Sequence, residues 1–215
     1  LEAIFMFLPG ITAVIYGEIS GFAFLITIII CLALGIPLTW KKPSKKAFYT
    51  KEGFVTVALS WIVLSIMGAL PFIFSGSIPN PVDAIFETVS GFTTTGASIL
   101  ADVEILPHCV LIWRSFTHWI GGMGVLVFIL SLLPLTGGYH MNLMKAESPG
   151  PSVSKLAPKV QSTAKILYTI YFVMTVAQMI LLLLGGMPLF DTICTAFGTA
   201  GTGGFGIKSD SMAGY

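Results

Sequence analysis

The sequence predicts an all-α polytopic membrane protein, and three observations lead to that fold class. Of the 215 residues, 55% are hydrophobic and only 10% are charged, whereas soluble domains average about 25% charged residues. Apolar runs long enough for a membrane span alternate with short polar turns. One stretch also occurs twice at a fixed distance along the chain. A soluble globular domain is therefore excluded.

The repeated stretch is a short apolar segment followed by a polar, glycine-ended one. Asp83 aligns with Asp191 and Gly96 with Gly204, and both pairs lie 108 residues apart. A repeat of this size indicates a supersecondary unit that is used twice. We name its two polar parts the first loop, residues 93–96, and the second loop, residues 201–204.

The apolar pattern divides the chain into four parts. Residues 1–52 hold two leading transmembrane helices and a basic cytoplasmic loop, and residues 53–140 hold a first repeat of span, re-entrant pore helix, filter and span. Residues 141–162 form a cytoplasmic loop, and residues 163–215 hold a second, incomplete repeat of span, pore helix and filter. Because the first residue is leucine and the second repeat lacks its closing span, we expect a longer natural chain.

The charge distribution predicts the orientation of the spans. Five lysines lie within eleven residues, 41–51, directly after the second predicted span, and three more lie between residues 145 and 159. Basic loops of this kind stay on the cytoplasmic side. Both short apolar segments, residues 82–92 and 189–199, then enter from the outside, where most of the acidic residues lie and attract cations.

The two loops carry the predicted chemistry. The short apolar segments before them cannot cross a hydrocarbon core of roughly 30 Å. Non-helical backbone at membrane depth is tolerated only where protein buries it or where it lines a water-filled path. Carbonyl and threonine oxygens in such a loop can replace the water shell of a cation, and the C-terminal end of the preceding helix favours positive charge. The alternative is that both loops are ordinary turns between spans.

The same segments resemble the Trk/Ktr/HKT superfamily of potassium transporters. The resemblance rests on Phe92-Thr-Thr-Thr-Gly96 and Gly203-Gly-Phe205, and residues 119–124 and 145–151 resemble its TrkH branch. It implies potassium uptake across the cell inner membrane through four such repeats, with K+ as the transported ion and no organic cofactor. The implied partners are the lipid bilayer, a second copy in a homodimer and a cytosolic nucleotide-binding TrkA-like regulatory ring, with no nucleic acid.

Carried over residue by residue, the resemblance assigns two sets of positions in the loops. Oxygens facing K+ would come from Thr94, Thr95, Thr202 and Gly203. The backbone would be shaped by Thr93, Gly96, Gly201 and Gly204. In the family, glycine at the filter position goes with permeation of potassium, and Gly96 and Gly204 match it. The two remaining filter strands would have to come from further sequence.

Charged and glycine residues within the spans are further candidates. Arg114 lies in the span predicted for residues 108–135, and an intramembrane arginine requires a partner, for which Glu87 is our candidate. The pair is either a structural brace or a functional element. His118 follows on the same helix face. A glycine cluster in the same span allows either a gating hinge or close helix packing, and it consists of Gly121, Gly122 and Gly124.

Two other functional classes remain as alternatives. An intramembrane enzyme would use Arg114, His118 and Glu87, but the sequence has no G-x-S-x-G, H-E-x-x-H or C-x-x-C motif. A non-conducting interaction subunit would keep the fold without the ion path. The sequence favours a transporter over both, and it leaves channel-like and ion-coupled transport open.

Overall fold

The computed structural model describes residues 2–40, 50–124 and 160–215. In those ranges all regular secondary structure is α-helical. The helices are α1 Glu2–Phe5, α2 Phe7–Tyr16, α3 Gly21–Trp40, α4 Thr50–Phe74, α5 Pro81–Phe92, α6 His108–Met123, α7 Val160–Leu184 and α8 Leu189–Ala200. Three predicted features lie outside the described residues: the lysines at 41–46, most of the loop at 141–162 with its 145–151 motif, and the span beyond residue 124.

Three of the helices in the described ranges are long and apolar enough to cross a membrane. Their apolar stretches are Gly21–Leu38 in α3, Phe54–Phe74 in α4 and Ala164–Leu184 in α7. The sequence predicted spans at these three places, and the prediction of an all-α, multi-pass protein is confirmed. The predicted short helices correspond to α5 and α8, with ends shifted by one residue or less.

The helix α6 ends inside the span that the sequence predicts for residues 108–135. Its last residue is Met123, and residues 125–135 lie outside the described part of the chain. Gly124 follows with a φ of 75°, and its N–H bonds to the carbonyl of Gly121 at 3.0 Å. Gly124 also has a ψ of 126°, and glycine adopts this non-helical combination of positive φ and extended ψ without the strain that a Cβ would cause.

The helix α6 is also the centre of the described fold. It packs against α2, α5 and α8, and every residue from Cys109 to His118 is buried. Trp113 makes edge-to-face contacts with Phe24 of α3 and Phe92 of α5, and its Nε1 donates to the carbonyl of Gly68 in α4 at 3.0 Å. A helix that is buried on all sides holds its neighbours in a fixed arrangement. Both loops are therefore positioned by α6.

Glu18, in the turn between α2 and α3, caps the N-terminus of α6. Its Oε1 accepts the N–H of His108 at 2.7 Å and its Oε2 accepts the N–H of Cys109 at 2.9 Å. The first N–H groups of a helix lack intrahelical partners, and a carboxylate there also complements the helix dipole. Burial raises the pKa of Glu18, but hydrogen bonds from Cys109 and His108 outweigh it and leave this pKa below its ordinary value.

We expect Glu18→Ala to lower the free energy of unfolding by about 1–2 kcal/mol at neutral pH. Because the folded-state pKa of Glu18 is depressed, its contribution is complete above the unfolded carboxyl pKa of about 4.3 and disappears as pH falls through the folded value. Melting temperatures of the full-length protein in detergent, measured from neutral to acid pH, test this. Glu18→Gln is the matched control, since it keeps one acceptor oxygen but cannot titrate. An equal loss for Glu18→Ala at every pH would contradict the assignment.

Candidate cation site at the two loops

The helices α5 and α8 end in the same way, 108 residues apart. After each helix, one backbone N–H donates to the carbonyl five residues earlier. The preceding N–H donates to the carbonyl three residues earlier, and the two bonds together form the Schellman pattern. In the first copy Thr95 bonds to Ser90 at 2.9 Å and Thr94 to Gly91 at 3.0 Å. In the second copy Gly203 bonds to Gly198 at 3.0 Å and Thr202 to Thr199 at 2.9 Å. The sequence repeat is thus also a repeat of backbone hydrogen bonds.

Both loops contain a threonine in a left-handed conformation. Thr94 has a φ of 55° and Thr202 a φ of 59°. The Schellman pattern usually places glycine at this position, and a β-branched residue there is a genuine outlier. Such strain costs of order 1–3 kcal/mol and concentrates at functional sites. No sequence pattern signals this conformation at a threonine.

The glycines that end the loops also have positive φ. Gly96 has a φ of 74° and Gly204 a φ of 78°. Their surroundings differ, however. A Cβ on Gly96 would collide with the carbonyl oxygen of Gly203, whereas a Cβ on Gly204 would meet nothing within 4 Å in the described part of the chain. The two loops are therefore in direct contact, although they lie far apart in sequence.

The hydroxyl groups of the first loop form a directed chain. Thr93 Oγ1 donates to the carbonyl of Val89 at 2.7 Å, and it lies 2.8 Å from Thr95 Oγ1. Since the single hydroxyl proton of Thr93 is used on Val89, Thr95 must be the donor in the second bond. The Thr95 proton thus points to Thr93 Oγ1, and the lone pairs of the Thr95 oxygen are left to accept or to coordinate.

Two glycines of α6 let the ends of α5 and α8 approach closely. A Cβ on Gly121 would collide with the carbonyl of Phe92, the last residue of α5. A Cβ on Gly122 would lie 2.7 Å from the Cα of Gly201, directly after α8. Of the two alternatives that the sequence left open, the contacts favour packing for these two glycines. Gly124, in contrast, lies where the helix ends.

The His118 ring packs against the second loop and the residue that follows it. Its ring stacks on that of Phe205 with 4.0 Å between centroids, and its Nδ1 accepts the N–H of Phe205 at 3.4 Å. A Cβ on Gly203 would collide with the His118 ring. His118 is therefore packed against the second loop, and this contact explains why position 203 must be glycine.

Arg114 and Glu87 form a buried ion pair that contacts the chain just after each loop. Arg114 Nε lies 2.6 Å from Glu87 Oε1, and the two side chains are 2% and 0% exposed. Glu87 was the predicted partner of Arg114, and this pairing is confirmed. The guanidinium also donates to Ser98 Oγ at 3.2 Å and to the carbonyl of Gly206 at 2.9 Å, and it lies over the ring of Phe205. The sequence did not predict the contacts with Ser98 and Gly206.

Helical spans around two equivalent, contacting, non-helical loops are typical of multi-pass membrane transport proteins. The family model for TrkH, described as a cation transport protein, matches residues 20–215, and the chain belongs to this family. The resemblance noted from the sequence is thereby confirmed. The family consists of membrane transporters and not enzymes, so the intramembrane-enzyme alternative is rejected, and a location in the cell inner membrane agrees with the apolar helices.

Individual relatives agree with this assignment. The Trk system potassium uptake protein TrkH of Salmonella typhimurium is 44% identical over 214 residues, which cover 98% of this chain and 44% of that protein. The Trk system potassium uptake protein TrkG of Escherichia coli is 38% identical, over 99% of this chain and 44% of its own length. The crystal structure of the potassium transporter TrkH from Vibrio parahaemolyticus matches with a TM-score of 0.79 at 32% identity, covering 99% of this chain and 43% of that one. The chain thus spans less than half the length of these relatives.

Proposed function

We propose that the chain provides part of a potassium uptake pathway, with the first and second loops as two of its filter strands. The observation that carries this proposal is the contact between two loops with matching backbone geometry, Gly96 lying against the carbonyl of Gly203. Relatives named as potassium uptake proteins support K+ as the ion. Each loop begins at the C-terminal end of a short helix, where the helix dipole favours a cation.

The oxygens proposed to face the ion belong to Thr94, Thr95, Thr202 and Gly203. Carbonyl and hydroxyl oxygens together can replace the hydration shell of K+ if binding stays weak enough for release. Thr95 suits this task because its hydroxyl proton is directed to Thr93, which leaves a lone pair available. The backbone-shaping set comprises Thr93, Gly96, Gly201 and Gly204, which cap the two short helices or have positive φ.

The division of the chain follows from the same proposal. Residues 1–52 would be two leading transmembrane helices with a basic loop, 53–140 the first span–pore–span repeat, 141–162 a cytoplasmic loop and 163–215 the start of the second repeat. In this arrangement α5 and α8 are re-entrant pore helices. Two further filter strands would come from the part of the relatives' length that this chain does not span. A homodimer and a cytosolic TrkA-like regulatory ring are the proposed partners.

Uptake of 86Rb+ into proteoliposomes that contain the full-length protein tests this function. We expect uptake that K+ inhibits and that Na+ does not inhibit at the same concentration. Thr95→Val keeps the side-chain shape but removes the hydroxyl. We expect it to reduce Rb+ uptake about tenfold, which is the size of effect expected from removing one polar group that contacts the ion. Thr169→Val is the matched control, because the Thr169 hydroxyl is exposed and bonds only to the Lys165 carbonyl within α7 among the bonds described. Equal uptake by the wild-type protein and Thr95→Val would contradict the filter assignment.

A further inference from the structure

The buried ion pair contacts both filter strands at equivalent positions, if each strand is taken to include the two residues after its loop (residues 93–98 and 201–206). Arg114 donates to Ser98 Oγ and to the carbonyl of Gly206, and these two residues are 108 residues apart, like the loops themselves. Each lies two residues beyond the glycine that ends its loop. We infer that Arg114 and Glu87 together are a positioning pair, shared by both strands, that fixes their spacing and thereby the preference for K+ over Na+. This inference rests on the proposed function.

The first strand is tied to its own pore helix through Glu87. Ser98 Oγ donates to Glu87 Oε1 at 3.0 Å and the N–H of Ile99 donates to Glu87 Oε2 at 3.0 Å. The Ser98 hydroxyl then accepts from Arg114 Nη2. Both Glu87 oxygens are therefore engaged, and the carboxylate orients the arginine and the first strand at once.

The second strand has no carboxylate at the corresponding position of its own pore helix, and it is held by Arg114 instead. The position of α8 that corresponds to Glu87 is Thr195, which carries no charge. Instead, Arg114 Nη1 holds the carbonyl of Gly206, and the guanidinium lies 4.0 Å from the centroid of the Phe205 ring. One arginine from α6 thus links the second strand to the pore helix of the first repeat.

A planar guanidinium is suited to this task. Its donors form a rigid fork with fixed angles between them, whereas a lysine ammonium is a compact point charge on a flexible stem. Charge-assisted hydrogen bonds in a buried site are short and strong. Discrimination between cations depends on the positions and the field of the coordinating oxygens, so a link that fixes the distance between two strands acts on selectivity without touching the ion.

The test compares Rb+ and Na+ uptake by the full-length protein in proteoliposomes. Arg114→Lys keeps the charge but loses the fork, and we expect Rb+ uptake to persist while its preference over Na+ falls about tenfold. Ser98→Ala removes the hydroxyl that joins the first strand to Arg114 and leaves the bond from the Ile99 N–H to Glu87, so we expect a smaller fall of about threefold. Glu18→Gln weakens the cap of the same helix α6 without contacting either strand, and its preference should equal that of the wild type.

The outcomes separate this inference from the function on which it rests. Wild-type protein with no preference for Rb+ would overturn the proposed function. A selective wild type, with Arg114→Lys and Ser98→Ala equally selective, would overturn the positioning pair alone. If Arg114→Lys does not fold, Ser98→Ala decides, and an unchanged preference in that variant overturns the inference. A fall in Glu18→Gln as large as that in Arg114→Lys would also overturn it, because the effect would then be a general loss of stability.

Discussion

Gly96→Ala should abolish selective Rb+ uptake by the full-length protein, whereas Gly204→Ala should only reduce it. Both glycines have positive φ, so either alanine has a conformational cost of about 1–2 kcal/mol. Only at Gly96 does the new Cβ also collide with the carbonyl oxygen of Gly203. That collision forces the two loops apart, and the carbonyl is one of the oxygens proposed to face the ion. Flux of 86Rb+ against 22Na+ in proteoliposomes measures the difference.

Gly17→Ala is the control for conformational cost alone. Gly17 has a φ of 67° in the turn after α2, and in the described part of the chain a Cβ there meets nothing within 4 Å. We expect it to lower the melting temperature about as much as Gly204→Ala and to leave ion preference unchanged. Equal, small effects of Gly96→Ala and Gly204→Ala on selectivity would show that the contact between the loops does not matter for transport.

Arg114→Met should strongly destabilise the protein, with a loss of about 3–5 kcal/mol in the free energy of unfolding. The reason is that Glu87 would keep its buried negative charge without the cation that compensates it. Hydrogen bonds from Ser98 and Ile99 remain, but they do not neutralise the carboxylate. Denaturant-dependent unfolding of the full-length protein in detergent measures the loss.

The double variant Arg114→Met/Glu87→Leu is the matched control. Replacing a buried ion pair by apolar residues of similar volume is often nearly neutral, since the cost of burying both charges disappears with them. We therefore expect the double variant to recover most of the stability while it loses ion preference, because both strands lose their link. A double variant as unstable as Arg114→Met would mean that packing, and not the unpaired charge, causes the loss.

Patterns along the chain and the cost of buried charge made much of this structure predictable. The three apolar stretches, the short helices α5 and α8 and the 108-residue repeat follow from hydrophobicity and spacing alone. The partner of Arg114 was also predictable, because an arginine inside a membrane protein requires a carboxylate and Glu87 is an acid on the first short helix. The same repeat, extended by two residues, would have paired Ser98 with Gly206.

Other features had no local signal. The left-handed conformation of Thr94 and Thr202 contradicts the ordinary preference of threonine, and only the surrounding contacts can impose it. The cap that Glu18 gives to α6 joins residues 90 positions apart, a distance at which no sequence pattern operates. The end of α6 at Met123 was missed because the apolar run continues beyond it, and hydrophobicity alone does not show which glycine turns the chain.

Crystals of the full-length protein grown in Rb+ or Tl+ offer the most direct test of the central claim, that two loops in contact hold a dehydrated cation. Anomalous difference maps should place a peak within coordination distance of Thr95 Oγ1 and of oxygens from residues 201–204, and K+ should displace it while Na+ should not. Anomalous density only at the acidic residues predicted to lie outside the membrane, with none beside either loop, would contradict the account.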